Sequence, residues 1–404
     1  MIIDIFTKLY YYIKARLRYI VPVFLFYLFR LFPLKNKIVA TTMRGRKYAD
    51  NPKFLIEKIH SLYPEIDLVW LVGRNCDYEL PSYVRPVSYH KLITKVFEMS
   101  TARIWINSHR IENYHRKRKG QCFIETWHGG IAVKKIELDV PRVKQSKWEL
   151  EELKTLCKLA DVCISNSDNL SNLYRHALGY NGIIYKSGYP RNDVFFADNT
   201  KAIENVKTHF GFNDEKLCLY APTFRDDFER KGLFDLSLFD IDVPQIKKSL
   251  KNRFGGEWEI LIKWHPIMTL YVNENHIRIP ETIDATDYQN MQELLLAVDV
   301  VISDYSSCLF DAALREIPCF TYAKDFDKYK EERGVYFEVD ELPFPYARNN
   351  DELISNILNY NHDDYIEKWK QFTIRTGLHE TGHATDDIAN KIIDILNGKK
   401  VVWE

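Results

Sequence analysis

The sequence predicts an α/β fold with two Rossmann-like, doubly wound domains. Ten short and nearly continuous apolar runs occur beyond residue 36, separated by helical patterns: 37–40, 68–72, 103–106, 122–124, 162–164, 182–185, 218–220, 260–262, 300–302 and 318–321. Such runs are typical of parallel strands that helices cover on both faces. Residues 159–166 and 297–304 also resemble each other, since each joins an apolar run to Ser, Asp or Asn before another helical pattern. This internal similarity favours two domains of one kind.

The length of the chain agrees with two domains, because 404 residues with 46% hydrophobic composition can bury two cores of ordinary size. We place the join near residues 193–201. The first Rossmann-like domain is then predicted over residues 36–195. The second is predicted over residues 196–404 and includes the terminal helix.

The composition argues against two kinds of partner. Lys plus Arg and Asp plus Glu number 56 each, so no overall basic field points to nucleic acid. The seven cysteines are odd in number and contain no Cys-x-x-Cys pair, which favours reduced core cysteines in a cytoplasmic compartment. Zinc is disfavoured for the same reason.

Residues 1–35 form a cationic, aromatic-rich segment. Its apolar stretch, residues 19–29, contains a proline and is shorter than the roughly 20 residues that cross a bilayer. No small-residue cleavage site follows it, which argues against a signal peptide. We predict that the segment associates with an anionic membrane surface and makes the protein peripheral, on the cytoplasmic face of the cell membrane. The alternative is a helix packed on its own domain.

The segment 126–130, Thr-Trp-His-Gly-Gly, follows the apolar run 122–124 and precedes a helix-prone stretch, 131–135. It places the titratable His128 at a predicted strand end, where open α/β sheets bind ligands. Glycines behind it let the backbone approach a ligand closely. The alternative is a histidine packed in the core beside Trp127. His265 has the same setting after the run 260–262, and the recurrence favours function.

The second half carries a predicted anion site. Ser306 and Ser307 follow the run 300–302 and open a helix, whose free N–H groups suit phosphate. The alternative is that the two serines only cap the helix. Arg225 and Arg191 follow two other runs and have the planar donors that phosphate oxygens prefer.

Five motifs in this order, TWHGG, GYPRND, YAPTFRD, KWHP and SDYSSCLFD, resemble the CDP-glycerol glycerophosphotransferase family of teichoic acid and capsule assembly. Segments 45–53 and 381–385 are also similar to it, and the match covers roughly residues 40–390. The sequence departs from the commoner polymerase pattern at residues 130–132, where Gly-Ile-Ala replaces Thr-Pro-Leu.

The resemblance implies a GT-B arrangement with a central cleft, a CDP-alditol donor and a membrane-bound polyprenyl-linked glycan or polyol-phosphate acceptor. Its two functional histidines fall on His128 and His265. We assign His128 as general base, and His265 with Arg225 to stabilise or protonate phosphate oxygens. Further donor-side candidates are Thr223, Asp304, Ser306, Ser307 and Arg191, and acceptor-side candidates are Trp127, Gly129, Gly130 and Lys134.

The sequence requires no cofactor beyond CDP-glycerol or CDP-ribitol as substrate. The Asp-x-Asp patterns at 240–242 and 325–327 do not clearly end strands, so a divalent metal is not required. One alternative is a GT-B glycosyltransferase that uses a nucleotide sugar, which fold alone does not exclude. Another is an inactive membrane-surface protein. The choice of alditol, the acceptor, repeated transfer and homo-oligomerisation stay open.

Overall fold

The protein contains two parallel β-sheets. The computed structural model describes residues 16–74, 76, 78–141, 146–225 and 234–404. The first sheet has seven strands in the order β3-β2-β1-β4-β5-β6-β7. Their bounds are β1 Lys35–Thr41, β2 Asp67–Val72, β3 Val84–Ser88, β4 Ala102–Asn107, β5 Cys122–Glu125, β6 Val162–Ser165 and β7 Ile183–Lys186.

The second sheet has six strands in the order β10-β9-β8-β11-β12-β13. Their bounds are β8 Lys216–Ala221, β9 Trp258–Ile262, β10 Ile283–Asp284, β11 Val300–Ser303, β12 Cys319–Tyr322 and β13 Tyr346–Ala347. Strand pairs are parallel in both sheets. Loops that carry chemistry therefore gather at the carboxyl edge of each sheet.

Fourteen helices surround the sheets in the described ranges, apart from short 3-10 turns. They are α1 (16–28), α2 Asp50–Leu62, α3 Leu92–Thr101, α4 Lys147–Leu159, α5 Asp168–His176, α6 Thr200–Phe210, α7 Val243–Phe254, α8 Pro266–Glu274, α9 Met291–Ala297, α10 Cys308–Ala313, α11 Phe326–Glu332, α12 Asn350–Leu358, α13 His362–Thr376 and α14 Ala384–Leu396. The predicted α/β class with two doubly wound domains is confirmed.

All ten predicted apolar runs form strands, whereas three further strands were missed. β3, β10 and β13 lie at sheet edges, and two of them contain only two residues. β3 also contains Pro86, which has no N–H to donate and is tolerated at an edge. Edge strands bury less apolar surface, so their sequences lack the continuous apolar signal.

The last helix does not follow the predicted domain division. In α14 the buried side chains Ile388, Ala389, Ile392 and Leu396 belong to the core of the first domain. The helix start is held there by Asp193, whose carboxylate accepts from the backbone N–H of Ala384 and Thr385. An amphipathic pattern shows that a helix packs, but it does not identify the sheet against which it packs.

The helix α1 has one face in the first domain and one face in solvent. Phe26 is fully buried, with its ring 6.2 Å from that of Trp105 and 5.5 Å from that of His115. Exposed apolar side chains occupy other positions: Leu17, Ile20, Val21, Phe24, Tyr27, Leu28 and Leu31. No helix within the described ranges is long and apolar enough to cross a bilayer. Residues 1–15 of the predicted membrane segment lie outside those ranges.

Candidate active site

His128 follows β5 and is held in one orientation by the neighbouring strand. Its Nδ1 lies 2.8 Å from the carbonyl oxygen of Ser108, which follows β4. A carbonyl can only accept, so Nδ1 carries the proton and donates. The neutral ring therefore has its basic lone pair on Nε2. The ring is exposed to solvent at the carboxyl edge of the sheet, as a base that meets a substrate must be.

The surroundings keep this base unprotonated. Crowding by protein lowers the pKa of His128 from its ordinary value, and Arg191 and Lys134 add to this, against the opposing effects of Asp50 and the Ser108 carbonyl. Trp127, immediately before it, has a φ of 53°, in the left-handed region that non-glycine residues rarely adopt. The loop thus accepts backbone strain where the imidazole is presented.

His265 has the opposite arrangement of ring nitrogens. It is the N-cap of α8, and its Nδ1 accepts from the backbone N–H of Ile267 at 3.3 Å. Burial lowers the pKa of His265 well below its ordinary value, and the charges of Lys134, His128 and Lys47 act in the same direction. The ring is therefore neutral with its proton on Nε2. It is suited to donate a hydrogen bond to an oxygen, whereas His128 is suited to accept a proton.

The two domains approach each other closely at the loops of these motifs. A Cβ placed on Gly129 would lie 3.9 Å from the Oγ of Ser307, which belongs to the second domain. A Cβ on Gly130 would lie 2.9 Å from Nδ2 of Asn166, so no larger residue fits without a shift. The Gly129 loop thus lies within contact distance of the predicted donor side, whereas the absence of a side chain at Gly130 lets this loop pack against Asn166 of the first domain.

The segment after this motif is not the helix-prone element that the sequence suggested. Residues 131–135 form no helix, and Lys134 forms an antiparallel bridge with Val335. The backbone N–H of Tyr336 donates to the Val133 carbonyl at 2.7 Å. Pairing with the second domain decides the conformation here, which local propensity does not reveal. Nζ of Lys134 lies 5.1 Å from the ring centroid of Phe224, in the loop after β8.

The two serines open α10 as predicted. Oγ of Ser306 accepts from the backbone N–H of Cys308 at 3.3 Å, whereas Ser307 makes no side-chain cap. Both residues are half-buried. Ser306 therefore has the capping role of the alternative interpretation, and the Ser307 hydroxyl faces the Gly129 loop.

The guanidinium of Arg225 donates to carboxylates, so most of its N–H groups are not available to phosphate oxygens. Its Nε and Nη2 donate to Asp325 at 2.7 and 3.0 Å, and Nη1 donates to Asp304 at 2.8 Å. A fourth N–H donates to the Thr223 carbonyl at 2.7 Å. Asp304 also accepts from the backbone N–H and hydroxyl of Thr223. These predicted donor-side residues form one buried network that joins the loops after β8, β11 and β12, with one of the five guanidinium N–H groups unused.

Arg191, in contrast, joins the two domains. Nη1 donates to Asp50 at 2.9 Å and to the His128 carbonyl at 2.7 Å, and Nη2 donates to Asp311 of α10 at 2.9 Å. The Arg191 side chain is 8% exposed. Sequence spacing suggested a phosphate ligand, but the structure gives this guanidinium two buried carboxylates, one on each side of the domain boundary.

Several residues near the histidines were not found by sequence reasoning. His109, whose ring centroid lies 5.2 Å from that of His128, follows β4 in a short Asn-Ser-His-Arg segment. Lys47 follows β1, and burial lowers its pKa. Glu380 accepts from Tyr189, Asn166 and Asn192, and burial raises its pKa to about 8. The available signal for His109 was the polar segment after the apolar run 103–106, and the signal for Lys47 was its place in the segment 45–53.

No three His, Cys, Asp or Glu side chains in the described part of the chain are grouped to hold a metal ion. The expectation that catalysis requires no metal stays a prediction. All seven cysteines lie in the described ranges, and Cys163, Cys218, Cys308 and Cys319 are buried.

Comparison with known proteins gives consistent matches. Residues 24–394 match the model of the CDP-glycerol:poly(glycerophosphate) glycerophosphotransferase family. The teichoic acid poly(glycerol phosphate) polymerase of Bacillus subtilis (strain 168) is 29% identical over 89% of this chain, which spans only 49% of that polymerase. The teichoic acid glycerol-phosphate transferase of Staphylococcus aureus (strain NCTC 8325 / PS 47) is 28% identical over 89% of this chain and 93% of its own length.

Solved structures of the wall teichoic acid polymerase TagF are similar throughout. One is 27% identical, with a TM-score of 0.79, and covers 98% of this chain and 98% of its own. Others contain a histidine-to-alanine or a different histidine-to-asparagine substitution, the latter also soaked with CDPG.

Proposed function

The chain belongs to the CDP-glycerol:poly(glycerophosphate) glycerophosphotransferase family, and from this membership we propose an activity for it. It transfers glycerol phosphate, or a related alditol phosphate, from a CDP-activated donor to a hydroxyl of a membrane-linked acceptor, and it releases CMP. The polymer is of the teichoic acid type, with capsule-type polymers as the further candidate. The observation that carries the proposal is the contact between His128 and the Ser108 carbonyl, which leaves Nε2 as a base at the carboxyl edge.

The proposed step is an in-line displacement at phosphorus. The acceptor oxygen forms a bond to the phosphorus nearest the alditol, and its proton passes to Nε2 of His128. The bond between that phosphorus and the bridging oxygen breaks, and the bridging oxygen leaves with CMP. A base with a lowered pKa stays unprotonated near neutral pH, which supports this role for His128.

The negative charge on the phosphate oxygens requires hydrogen-bond donors, and the second domain supplies them. The Nε2–H of His265 supplies one, because its Nδ1 is already occupied by the backbone of α8. The hydroxyl of Ser307, which faces the Gly129 loop, supplies another. Arg225 and Arg191 support the same site by holding its loops in place, since each guanidinium is bound by two carboxylates.

The membrane acceptor requires the protein to reach a bilayer surface. We propose that α1 lies in the headgroup region through its exposed apolar residues while Phe26 anchors it to the first domain. Basic residues support this, because Arg116 and Arg118 contact Tyr19 and Phe32 in and after α1. The protein would then be peripheral, on the side of the membrane where the CDP-linked donor is found.

A donor screen tests the proposal. The purified chain is incubated with CDP-glycerol, CDP-ribitol and common UDP-sugars, with a lipid-linked acceptor present, and CMP and UDP release are measured. The proposal predicts CMP from a CDP-alditol. UDP release would instead support the nucleotide-sugar glycosyltransferase, and release of neither would support an inactive membrane-surface protein.

A further inference from the structure

The imidazole of His128 is carried by a loop whose backbone carbonyls accept from side chains that are distant in the sequence. We call residues 126–129 the His128 loop. Nδ2 of Asn51, the second residue of α2, donates to the carbonyl oxygens of Thr126 and Trp127 at 3.2 and 3.3 Å. The Thr126 hydroxyl also reaches the Trp127 carbonyl, at 3.3 Å. The Asn51 side chain is fully buried. Half of the carbonyls of the His128 loop are therefore held by one side chain from another element.

The remaining carbonyls of the His128 loop accept from the Gly-Tyr-Pro-Arg-Asn-Asp motif. The hydroxyl of Tyr189 donates to the Gly129 carbonyl at 2.8 Å, and Nη1 of Arg191 donates to the His128 carbonyl at 2.7 Å. The motif is in turn bound to α2, because the backbone N–H of Arg191 donates to Oδ1 of Asn51 at 3.2 Å. Asn51 thus bonds to the loop through its Nδ2 and to the motif through its Oδ1.

The His128 loop has an uncommon conformation that requires such support. Trp127, which precedes the histidine, has a φ of 53°, and strain of this kind persists only where the surroundings impose it. At the same time Nδ1 of His128 stays 2.8 Å from the carbonyl oxygen of Ser108, which follows the neighbouring strand. Relaxation of the loop would move the imidazole away from that carbonyl. An imidazole without a fixed partner exchanges its proton between the two ring nitrogens.

We propose that Asn51 and Tyr189 are positioning residues for His128, which keep its proton on Nδ1 and its lone pair on Nε2 by holding the carbonyls of the His128 loop. The hydrogen bonds that they donate go to the backbone of the loop and not to the imidazole, so they act through the loop. This inference rests on the proposed function for the reaction that the base serves. The position of the proton, however, is a property of the chain that can be measured without substrate.

Tyr174 provides a matched control for Tyr189. Its hydroxyl lies 3.1 Å from that of Tyr189 and donates to the Ile164 carbonyl in β6 at 2.9 Å. Both tyrosine side chains are fully buried. Tyr189→Phe and Tyr174→Phe each remove one buried hydroxyl and keep the ring, but only Tyr189→Phe leaves the Gly129 carbonyl without its donor. A general loss of stability therefore affects the two variants alike.

Asn51→Ala removes the amide contacts with both the His128 loop and Arg191. Its control is Asn356→Ala in α12, where Nδ2 also donates to a backbone carbonyl, that of Tyr346, at 2.8 Å. That carbonyl lies in β13 of the second domain, at the edge of the sheet and outside the His128 loop.

Two measurements on the unmodified chain and these variants test the inference. NMR chemical shifts of the imidazole nitrogens in histidine-labelled protein, at a pH where the ring is neutral, report which nitrogen carries the proton. The signals that His128→Gln loses are those of His128. CMP release from CDP-glycerol with a saturating lipid-linked acceptor gives kcat and the KM for the donor.

In the unmodified chain and in both controls, His128 should carry its proton on Nδ1 alone. In Tyr189→Phe and in Asn51→Ala, its nitrogen shifts should move to values between those of the two tautomers. The kcat of these two variants should fall about tenfold while the KM for CDP-glycerol changes by less than about twofold, because a loop carbonyl left without its donor releases the base and not the donor site. Thermal unfolding should show similar losses of stability for Tyr189→Phe and Tyr174→Phe.

A single Nδ1–H tautomer in folded Tyr189→Phe would overturn the role of Tyr189, and the same result in folded Asn51→Ala would overturn that of Asn51. Mixed tautomers or an equal loss of kcat in Tyr174→Phe would assign the effect to any lost buried hydroxyl and would also overturn the inference. If Asn51→Ala does not fold, the comparison of Tyr189→Phe with Tyr174→Phe decides. Failure of the proposed function has a different signature, because even the unmodified chain would then release no CMP, and the tautomer comparison would still decide the inference.

Discussion

Nδ1 of His128 lies 2.8 Å from the carbonyl oxygen of Ser108. This contact fixes which ring nitrogen carries the proton, because a carbonyl cannot donate. His265 shows the reverse, with Nδ1 accepting from the Ile267 N–H at 3.3 Å. One histidine in each domain is thus set as a base and the other as a donor. The backbone group that contacts Nδ1 of each histidine, at the end of β5 or of β9, decides which of the two roles the ring can take.

The role of His265 can be separated from its role as a helix cap. His265→Ala removes both the cap acceptor and the Nε2–H donor, so we expect a loss of about 1 kcal/mol in stability and a fall in kcat of about 10². His265→Asn restores a good N-cap, and its stability should approach that of the unmodified chain. Its kcat should stay low, because the shorter side chain does not reach the phosphate. Recovery of kcat in His265→Asn would reduce His265 to a structural residue.

The serines at α10 are expected to act in donor binding. The double substitution of Ser306→Ala with Ser307→Ala should weaken CMP or CDP-glycerol binding by about tenfold or more, since hydrogen bonds to charged groups contribute about 1.5–3 kcal/mol. Calorimetric titration measures the affinity. Ser61→Ala, an exposed serine of α2 that bonds only to a backbone carbonyl, is the matched control. Unchanged affinity in the double variant would leave Ser306 as a cap alone and Ser307 with no role in donor binding.

Arg191 should be one of the most sensitive positions for stability. It lies between the carboxylates of Asp50 and Asp311, whose side chains are only 13% and 6% exposed. Arg191→Gln leaves both carboxylates buried without their cation, and removal of one partner from such a pair costs about 3–5 kcal/mol. Urea unfolding followed by circular dichroism measures the change. Arg85→Gln breaks exposed ion pairs and should cost about 1 kcal/mol or less; similar losses in the two variants would contradict the assignment.

The exposed face of α1 should determine membrane binding. Phe24 and Leu31 are 61% and 81% exposed, so the double substitution Phe24→Asp with Leu31→Asp should leave thermal stability unchanged. Binding to anionic vesicles should fall by at least about tenfold, because each apolar side chain contributes about 1.5–3 kcal/mol when fully buried. Co-sedimentation measures it. Deletion of residues 1–35 would be a poorer test, because it also removes the buried Phe26. Undiminished vesicle binding by the double variant would locate the membrane surface elsewhere.

The sequence was sufficient to predict most of the fold. Strands such as β5 and β11 are buried on both faces and have an unmistakable apolar signal. β3 and β13 at the edges do not, and the sheet against which α14 packs depends on a surface that the helix pattern does not describe. Local signals therefore located the central strands and left the edges and the last helix undetermined.

The sequence located some residues of the candidate site correctly, but it gave others the wrong partners and missed one. His128 and His265 were found because each follows an apolar run, and the structure places both at strand ends. Arg191 and Arg225 were interpreted as phosphate ligands because their carboxylate partners are distant in the sequence: Asp311 lies 120 residues from Arg191, and Asp325 lies 100 from Arg225. His109 was missed because the polar segment that contains it, residues 107–110, matches none of the five motifs. Ion-pair partners across a domain boundary appear only when the chain is folded.

The most direct test of the account is the rate of CMP release from CDP-glycerol with a saturating acceptor, measured across pH for the unmodified chain and for His128→Gln. Crowding by surrounding protein lowers the pKa of His128, so the base stays unprotonated to lower pH than an ordinary histidine, and kcat/KM should decline on the acid side only below its ordinary pKa of 6.5. His128→Gln should bind donor normally and lose about 10² or more in rate. A folded variant that turns over at nearly the unmodified rate, with the same acid limb, would contradict the assignment of His128 as the base.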